Sequence, residues 1–252
     1  SGSRSAWTEP CQYMADVYWG KVKAEYSLVK TALFLGFFPV IVEGPICRWE
    51  DVEDTLFKNE SVKAENVFKG CYRIIWGLFK KMIIADRLAV LVDKVYVGYE
   101  SYSGAVIVVA AISYTIQLYM EFSGCMDMVI GSAGLFGIRL PENFSQPFFA
   151  KTCTDFWKRW HITLGVWFKN YIFYPVSISK TARKWNKFTR KHFKGDFGKY
   201  VARMGIAAMA LFPVWISNGL WHGPKWNYIF YGLYYFGLIF MGLALEPVRD
   251  RI

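Results

Sequence analysis

Three uncharged stretches dominate the pattern of hydrophobic and polar positions: residues 101–120, 204–224 (with His222 counted as neutral) and 226–245. Each contains about 20 residues, and a helix needs roughly 20 apolar residues to cross the hydrocarbon core of a bilayer. Helices buried in a large soluble core are the alternative, but three such stretches in 252 residues are hard to bury otherwise. We therefore predict an all-α, multi-pass transmembrane helical bundle.

Residues 71–92 have a helical pattern that four charges interrupt, at Lys80, Lys81, Asp86 and Arg87. A span exposed to lipid would not tolerate four charges near its centre. The segment is therefore a short span, a tilted span or a helix that lines the protein interior.

Asp127 lies in a further apolar segment, residues 124–138. An ionisable residue inside such a segment is a candidate for function, here for substrate binding. The alternative is a structural hydrogen bond to a neighbouring helix.

Residues 155–174 interleave aromatic and charged side chains. Asp155 stands three residues before Lys158 and four before Arg159, a helical spacing suited to an ion pair. The segment is too charged to span and too aromatic to lie free in water. We predict a re-entrant or interfacial helix, with its Trp and Tyr rings at the depth of the headgroups.

The net charge of +10 is concentrated before the second uncharged stretch. Between residues 180 and 203 lie nine cations and one acid, Asp196. A basic loop beside a span is typical of the cytoplasmic side of a membrane and of contact with anionic lipid. This placement argues against nucleic acid as a partner. The five cysteines show no metal-clip spacing, and we expect no disulfide framework and no metal site.

His222 stands between the second and third stretches, directly before Gly223 and Pro224, which favour a helix break. Irregular backbone at membrane depth is tolerated where it is buried in protein or lines a wet cavity, and substrate can reach such a place. Because imidazole titrates near neutrality, His222 is a candidate general base for a hydroxyl. A structural hydrogen bond to a neighbouring helix is the alternative.

Two other histidines complete the set. His161 lies in the aromatic and basic segment, where it could orient His222, hold an acceptor, cap a helix or bind a headgroup. His192 lies in the basic cluster and is expected to be solvated. The sequence has no Gly-x-Ser-x-Gly elbow, phosphate-binding glycine loop or His-Glu-x-x-His motif. A histidine acting on a bound hydroxyl is therefore the simplest enzymatic interpretation.

The motifs around both histidines resemble those of the membrane-bound O-acyltransferase family. Residues 155–161 read Asp-Phe-Trp-Lys-Arg-Trp-His, and residues 219–223 read Gly-Leu-Trp-His-Gly. Residues 44–48, Gly-Pro-Ile-Cys-Arg, are similar to a third family motif. The two histidine motifs together are highly specific, and the resemblance covers nearly the whole chain. The chain departs from the family pattern at Glu43 and Asn218, where smaller or apolar residues are common.

The resemblance implies a helical bundle around a central tunnel, with His222 as the essential residue and His161 as the second histidine. Substrate-binding or tunnel candidates are Trp221, Asn218, Asp155, Arg159, Trp160, Asp127 and Glu43. It implies no bound cofactor, because the acyl group arrives on a cytoplasmic thioester, either acetyl-CoA or an acyl carrier protein. The acceptor is a hydroxyl of an extracytoplasmic polysaccharide or cell-envelope polymer, and the reaction is most simply O-acetylation.

The bacterial branch of the family also includes enzymes that transfer D-alanine to teichoic acid, which is the main alternative function. A transporter subunit is a second alternative, but the sequence shows no inverted repeat of the kind transporters use. A scaffold without chemistry is a third, and the intact Trp-His-Gly motif argues against it. We expect residues 1–252 to form one multi-pass domain of the cytoplasmic (inner) membrane, lacking family spans at both ends. Membrane lipid and a periplasmic or extracellular acyltransferase protein are the expected partners.

Overall fold

A computed structural model of the chain describes residues 5–41, 43–58 and 62–249. It is 80% helical, and in the described ranges no β-strand forms beyond an isolated bridge between Phe144 and Trp160. The all-α class is therefore confirmed. The chain divides into two compact units between Asn143 and Phe144. The prediction of one domain over residues 1–252 stays a prediction.

Three of the described helices are long and apolar enough to cross a membrane: Gly104–Leu135, Gly195–His222 and Trp226–Ala244. They contain most of the three uncharged stretches, which confirms the interpretation of the pattern. The first helix is longer than its stretch, because residues 124–135 continue the same helix through Asp127.

The first unit is built around the longest of these helices. Its helices are α1 (Ser5–Tyr18), α2 (Leu28–Leu35), α3 (Phe38–Ile41), α4 (Trp49–Leu56), α5 (Ala64–Leu78), a π-helical turn (Phe79–Ala85), α6 (Asp86–Val97), a 3₁₀ turn (Tyr99–Ser101) and α7 (Gly104–Leu135). An aromatic core holds α1, α2 and α4 together. Within it the ring of Trp49 lies 5.0 Å from Tyr13 and 5.2 Å from Phe34.

A buried polar face of α1 holds the extended backbone of residues 44–48. The Gln12 side-chain amide donates a hydrogen bond to the Cys47 carbonyl, and the Glu9 carboxyl group accepts one from the Cys47 backbone. Burial raises the pKa of Glu9 to about 8. Because both backbone hydrogen-bonding groups of Cys47 are satisfied, the Gly-Pro-Ile-Cys-Arg segment keeps its extended form without a sheet.

Pairs of glycines let α5 and α7 approach closely. A Cβ atom built at Gly70 would lie 2.7 Å from the Gly131 carbonyl oxygen, and one built at Gly77 would lie 2.5 Å from that of Gly124. The glycines are seven residues apart on both helices, so they share a face and meet in antiparallel order. Small residues at helix crossings give the van der Waals contact that drives association in lipid.

Three cations of residues 71–92 are paired with acids on α7, whereas Asp86 pairs with Lys81 and Arg87 is exposed. Lys80 Nζ lies 2.6 Å from Asp127 Oδ2, and Lys81 Nζ lies 2.9 Å from Glu121 Oε1. Arg73 also contacts Asp127, at 3.0 Å. Both lysines lie in the π-helical turn, a feature that often re-aims side chains at functional places. Pairing explains how an otherwise apolar helix carries these charges, as expected of a helix that faces protein.

The second unit contains the other two candidate spans. Its helices are a 3₁₀ turn (Pro147–Phe149), α8 (Cys153–Arg159), α9 (Ile162–Phe168), a π-helical turn (Lys169–Phe173), α10 (Tyr174–Ser177), α11 (Lys180–His192), α12 (Gly195–His222), α13 (Trp226–Ala244) and α14 (Glu246–Arg249). The predicted interfacial segment is thus a series of short helices, since the helical structure is interrupted at residues 160 and 161.

The prediction of a basic loop before α12 is wrong, because most of that segment is the helix α11. The Ser179 side chain accepts a hydrogen bond from the Ala182 backbone and caps the helix start. Ala182 and Thr189 are buried, and the Trp185 ring lies against Gly205 of α12. Lys and Arg are good helix formers, so the charge that indicated a loop is compatible with a helix once one face is packed.

Glycines also permit the tight hairpin of α12 and α13. A Cβ atom at Gly219 would lie 2.4 Å from the Tyr228 carbonyl oxygen, and one at Gly232 would lie 2.3 Å from that of Trp215. Only residues 223–225 separate the two helices. The hairpin therefore places His222, the last residue of α12, at a turn that the close packing of α12 and α13 holds in position.

We expect Gly77→Ala to lower the melting temperature of the purified protein by several degrees, because the methyl group overlaps the backbone of α7. Gly242→Ala is the matched control, since nothing lies within 4 Å of its Cβ position. Alanine is favoured over glycine in helices by about 1 kcal/mol, so the control should keep or raise the melting temperature. A Gly77→Ala protein as stable as wild type would contradict the close contact.

Candidate functional site

His222 ends α12, and its side chain is exposed at the hairpin turn. Its ring centroid lies 6.2 Å from that of Tyr228 and 5.7 Å from that of Tyr231, both on α13. Gly223 follows directly and is buried, and a Cβ atom there would lie 2.8 Å from the Tyr228 ring. The Trp-His-Gly motif thus needs its glycine because a tyrosine ring occupies the space of a side chain.

His161 sits at a sharp turn between α8 and α9. Its backbone is left-handed, with φ 48° and ψ 54°, a region that residues other than glycine occupy infrequently. The preceding residue, Trp160, is extended and bridges Phe144, and the Ser145 N–H donates to the Arg159 carbonyl at 3.0 Å. Strained backbone of this kind clusters at functional sites, where the surrounding contacts hold it in place.

The second unit brings His161 and His222 together, although 60 residues separate them in sequence. Burial and, to a smaller extent, the nearby His222 together lower the pKa of His161 to about 3. His161 is therefore a neutral imidazole at physiological pH. A neutral ring next to the exposed His222 can accept or donate one hydrogen bond without adding a positive charge.

Aromatic side chains form a wall behind the two histidines. Trp157 of α8 lies 5.0 Å from Trp215 of α12 and 4.9 Å from Tyr235 of α13, between ring centroids. Tyr231 lies 4.9 Å from Tyr235 and also contacts His222. These rings join three helices at the site and give it the low-polarity surroundings that strengthen electrostatic interactions.

An open cavity of about 410 Å³ adjoins this wall. The 3₁₀ turn, the start of α8 and Tyr235 line it, through Pro147, Phe148, Ala150, Lys151, Thr152, Cys153, Phe156 and Tyr235. Burial raises the pKa of the Cys153 thiol, which argues against a reactive thiolate there.

Asp155 and Arg159 brace α8 in the way their spacing predicts. Arg159 Nε donates to Asp155 Oδ1 at 3.0 Å, and Asp155 also accepts a hydrogen bond from the Lys151 backbone. Lys158, the other predicted partner, is exposed. The pair stabilises the helix that leads into Trp160 and His161, so a structural role accompanies any contact with substrate.

Asn218 lies one turn before His222 on the same face of α12. It is 5% exposed, and among the described residues its Oδ1 atom has no hydrogen-bond partner. An unpaired buried amide oxygen is costly, so its retention points to a ligand group or water. Trp221, between the two, is half-buried.

Asp127 and Glu43 belong to the first unit. Asp127 makes the ion pairs with Lys80 and Arg73 that the structural alternative predicted. Glu43 is exposed and precedes the Gly-Pro-Ile-Cys-Arg segment. Their proposed role in substrate binding stays a prediction.

The sequence did not single out the aromatic wall. Tyr231 and Tyr235 are four residues apart on α13, a spacing that places them on one face, but nothing in the pattern shows that this face meets α8. Trp157 was visible as part of the first histidine motif, and Trp215 carried no comparable signal.

Comparison with known proteins gives this geometry a family context. Residues 21–193, more than half of the chain, match the profile of the membrane-bound O-acyltransferase family. The matched range spans parts of both units and includes His161, and it ends before His222.

Individual relatives extend the match. The probable alginate O-acetylase of Pseudomonas putida is 34% identical over 238 residues, which cover 94% of this chain and 44% of that protein. The peptidoglycan O-acetyltransferase of Helicobacter pylori is 34% identical over 86% of this chain and 37% of its own length. The teichoic acid D-alanyltransferase of Bacillus subtilis is 30% identical, with coverages of 86% and 52%.

The chain therefore spans about half, or less, of the length of these relatives. The alignment with the Pseudomonas putida protein leaves out 6% of this chain, which is shorter than the segment after His222. That alignment consequently includes both histidine positions.

The low pKa of His161 predicts a pH dependence of stability. In the unfolded chain this histidine is protonated below its ordinary pKa of about 6.5. In the folded protein it stays neutral until the pH approaches its lowered pKa of about 3. The folding stability that the neutral His161 contributes above pH 6.5 is therefore lost progressively as the pH falls below 6.5. We expect His161→Asn, which tolerates the left-handed backbone, to show a smaller drop in melting temperature between pH 7.5 and pH 5 than wild type.

His192→Asn is the control, because His192 is exposed on α11. It should keep the wild-type pH dependence. Equal pH dependence in His161→Asn and wild type would contradict a desolvated, neutral His161.

Proposed function

Because the chain belongs to the membrane-bound O-acyltransferase family, we propose that its two histidine motifs form an acyl-transfer site. The reaction moves an acyl group, most simply acetyl, from a cytoplasmic thioester to a hydroxyl of an extracytoplasmic polysaccharide or related cell-envelope polymer. The observation that carries this proposal is the meeting of His161 and His222 in one unit, beside an aromatic wall.

His222 acts as the general base in this mechanism. It takes the proton of the acceptor hydroxyl while the hydroxyl oxygen attacks the thioester carbonyl carbon. The new C–O bond forms, the C–S bond breaks, and the proton passes from the imidazolium to the departing thiolate. A free thiol and an O-acyl ester result, and His222 returns to its neutral form.

His161 assists as a neutral neighbour. Because it stays uncharged, it does not repel the imidazolium that forms on His222, and one of its ring nitrogens remains a hydrogen-bond donor for the thioester oxygen or for His222. Asn218, with its unpaired buried oxygen, contacts the acceptor in this scheme.

The donor is acetyl-CoA or an acyl carrier protein thioester, and no cofactor is bound. The names of the relatives support a polymer acceptor, since they are an alginate O-acetylase, a peptidoglycan O-acetyltransferase and a teichoic acid D-alanyltransferase. The somewhat higher identity to the first two favours acetyl over D-alanyl transfer. A periplasmic or extracellular acyltransferase protein is the proposed partner for the acceptor side.

The basic end of α12 supports an orientation in the cytoplasmic membrane. Placing α11 on the cytoplasmic side follows the positive-inside rule. The 28 residues of α12 then carry the chain about 40 Å outward. His222 faces the extracytoplasmic acceptor, and the donor thioester must reach it through the protein.

We expect His222→Ala to lower acyl transfer in isolated membranes by about 10²–10⁴-fold, the usual contribution of a general base, while the protein level stays unchanged. His192→Ala, a histidine outside the site, should transfer at the wild-type rate. The measurement is the incorporation of labelled acyl groups into polymer. Wild-type transfer by His222→Ala would rule out the base role.

Two donors separate the acetyl and D-alanyl reactions. Membranes containing the protein are supplied with labelled acetyl-CoA or with a carrier protein charged with labelled D-alanine. We expect ester-linked label from the acetyl donor that depends on His222. Ester-linked label from the D-alanyl carrier alone would show that the protein acts in teichoic acid modification instead.

A further inference from the structure

The helix α11 carries six cations and no acid: Lys180, Arg183, Lys184, Lys187, Arg190 and Lys191. All six are exposed, and within the described ranges none of them forms a salt bridge. The nearest acid in sequence, Asp196, pairs with Lys199 at 3.0 Å. Unlike the paired charges of the first unit, this set has no counter-charge in the described protein.

The cations share one face of the helix. At 100° per residue they fall within an arc of about 120°. The opposite face is packed, since Ala182 and Thr189 are buried and Trp185 lies against Gly205 of α12. α11 is therefore fixed to a candidate membrane span with its charged face turned outward.

Large aromatic side chains lie exposed beside the cations and at the start of the span. Phe188 is 49% exposed, Phe193 38% and Phe197 62%. Two residues alone separate α11 from α12, so these rings stand near the end of a helix able to cross the membrane. Exposed apolar rings are costly in water and stable in the interface, where cations also meet lipid phosphates.

We propose that α11 is an interfacial helix that binds the anionic phospholipid headgroups of the leaflet at the N-terminal end of α12. Its cations contact headgroup phosphates, and Phe188, Phe193 and Phe197 insert beneath them. The surface goes beyond the acyl-transfer site and does not depend on it, because it rests on charge, exposure and continuity with the span.

An acidic acyl carrier protein is the competing occupant of such a surface. Lipid is favoured because the exposed phenylalanines accompany the cations and because α11 lies at the end of α12 opposite His222. About 25 Å of helix separates Gly205, against which Trp185 of α11 packs, from His222.

The test compares lipid retention by the purified, delipidated protein. Dioleoylphosphatidylglycerol and dioleoylphosphatidylcholine are titrated in neutral detergent, and bound lipid is counted by native mass spectrometry. The α11 variant combines Arg183→Gln, Lys187→Gln and Arg190→Gln. The matched control combines Lys23→Gln, Lys58→Gln and Lys94→Gln, three exposed cations outside α11 that lack salt bridges in the described ranges.

We expect wild type to prefer phosphatidylglycerol and the α11 variant to lose that preference by on the order of 100-fold, since each cation near an anionic surface adds roughly fivefold. The control should keep the wild-type preference, and 1 M salt should weaken it. Equal melting temperatures of wild type and the α11 variant in phosphatidylcholine establish that the variant is folded.

Three results would overturn the proposal: no lipid preference in wild type, an unchanged preference in the α11 variant, or an equal loss in the control. Binding of a purified acyl carrier protein that requires the α11 cations, without any preference between the lipids, would assign the surface to the carrier instead.

Discussion

Backbone contact between α12 and α13 is the constraint on which the site depends. Gly219 and Gly232 let each helix touch the carbonyl groups of the other, so the hairpin needs only a short turn. That turn fixes His222 at the end of α12 with Tyr231 beside it. Lipid supplies little hydrophobic force between helices, and such close packing takes its place.

Other contacts position His161 at the same site. The bridge from Phe144 to Trp160 and the ion pair of Asp155 with Arg159 hold the chain before one left-handed residue, and the Gly165 N–H donates to the His161 carbonyl after it. The stabilising contacts surround the histidine and leave its ring next to the site. The energy cost of this backbone is of order 1–3 kcal/mol, which packing elsewhere offsets.

Much of the fold could be predicted from the sequence. Charge-free stretches determine where helices can cross a membrane, and Gly223 with Pro224 marks where α12 must end. Features that depend on which helices meet were not accessible. The helicity of α11 follows from packing on α12, and the wall of Trp157 with Tyr235 follows from the approach of α8 to α13. Periodicity gives the face of a helix and not its neighbour.

The central claim is that His161 and His222 lie side by side, and its most direct measurement is chemical cross-linking. In a cysteine-free background, His161→Cys with His222→Cys should be joined by a short bis-maleimide reagent, and His192→Cys with His222→Cys should not, because His192 ends α11 just before the start of α12 and His222 lies at the far end of α12. Mass spectrometry of the linked peptides gives the result. Failure of the first pair, with both cysteines shown to react singly, would contradict the account.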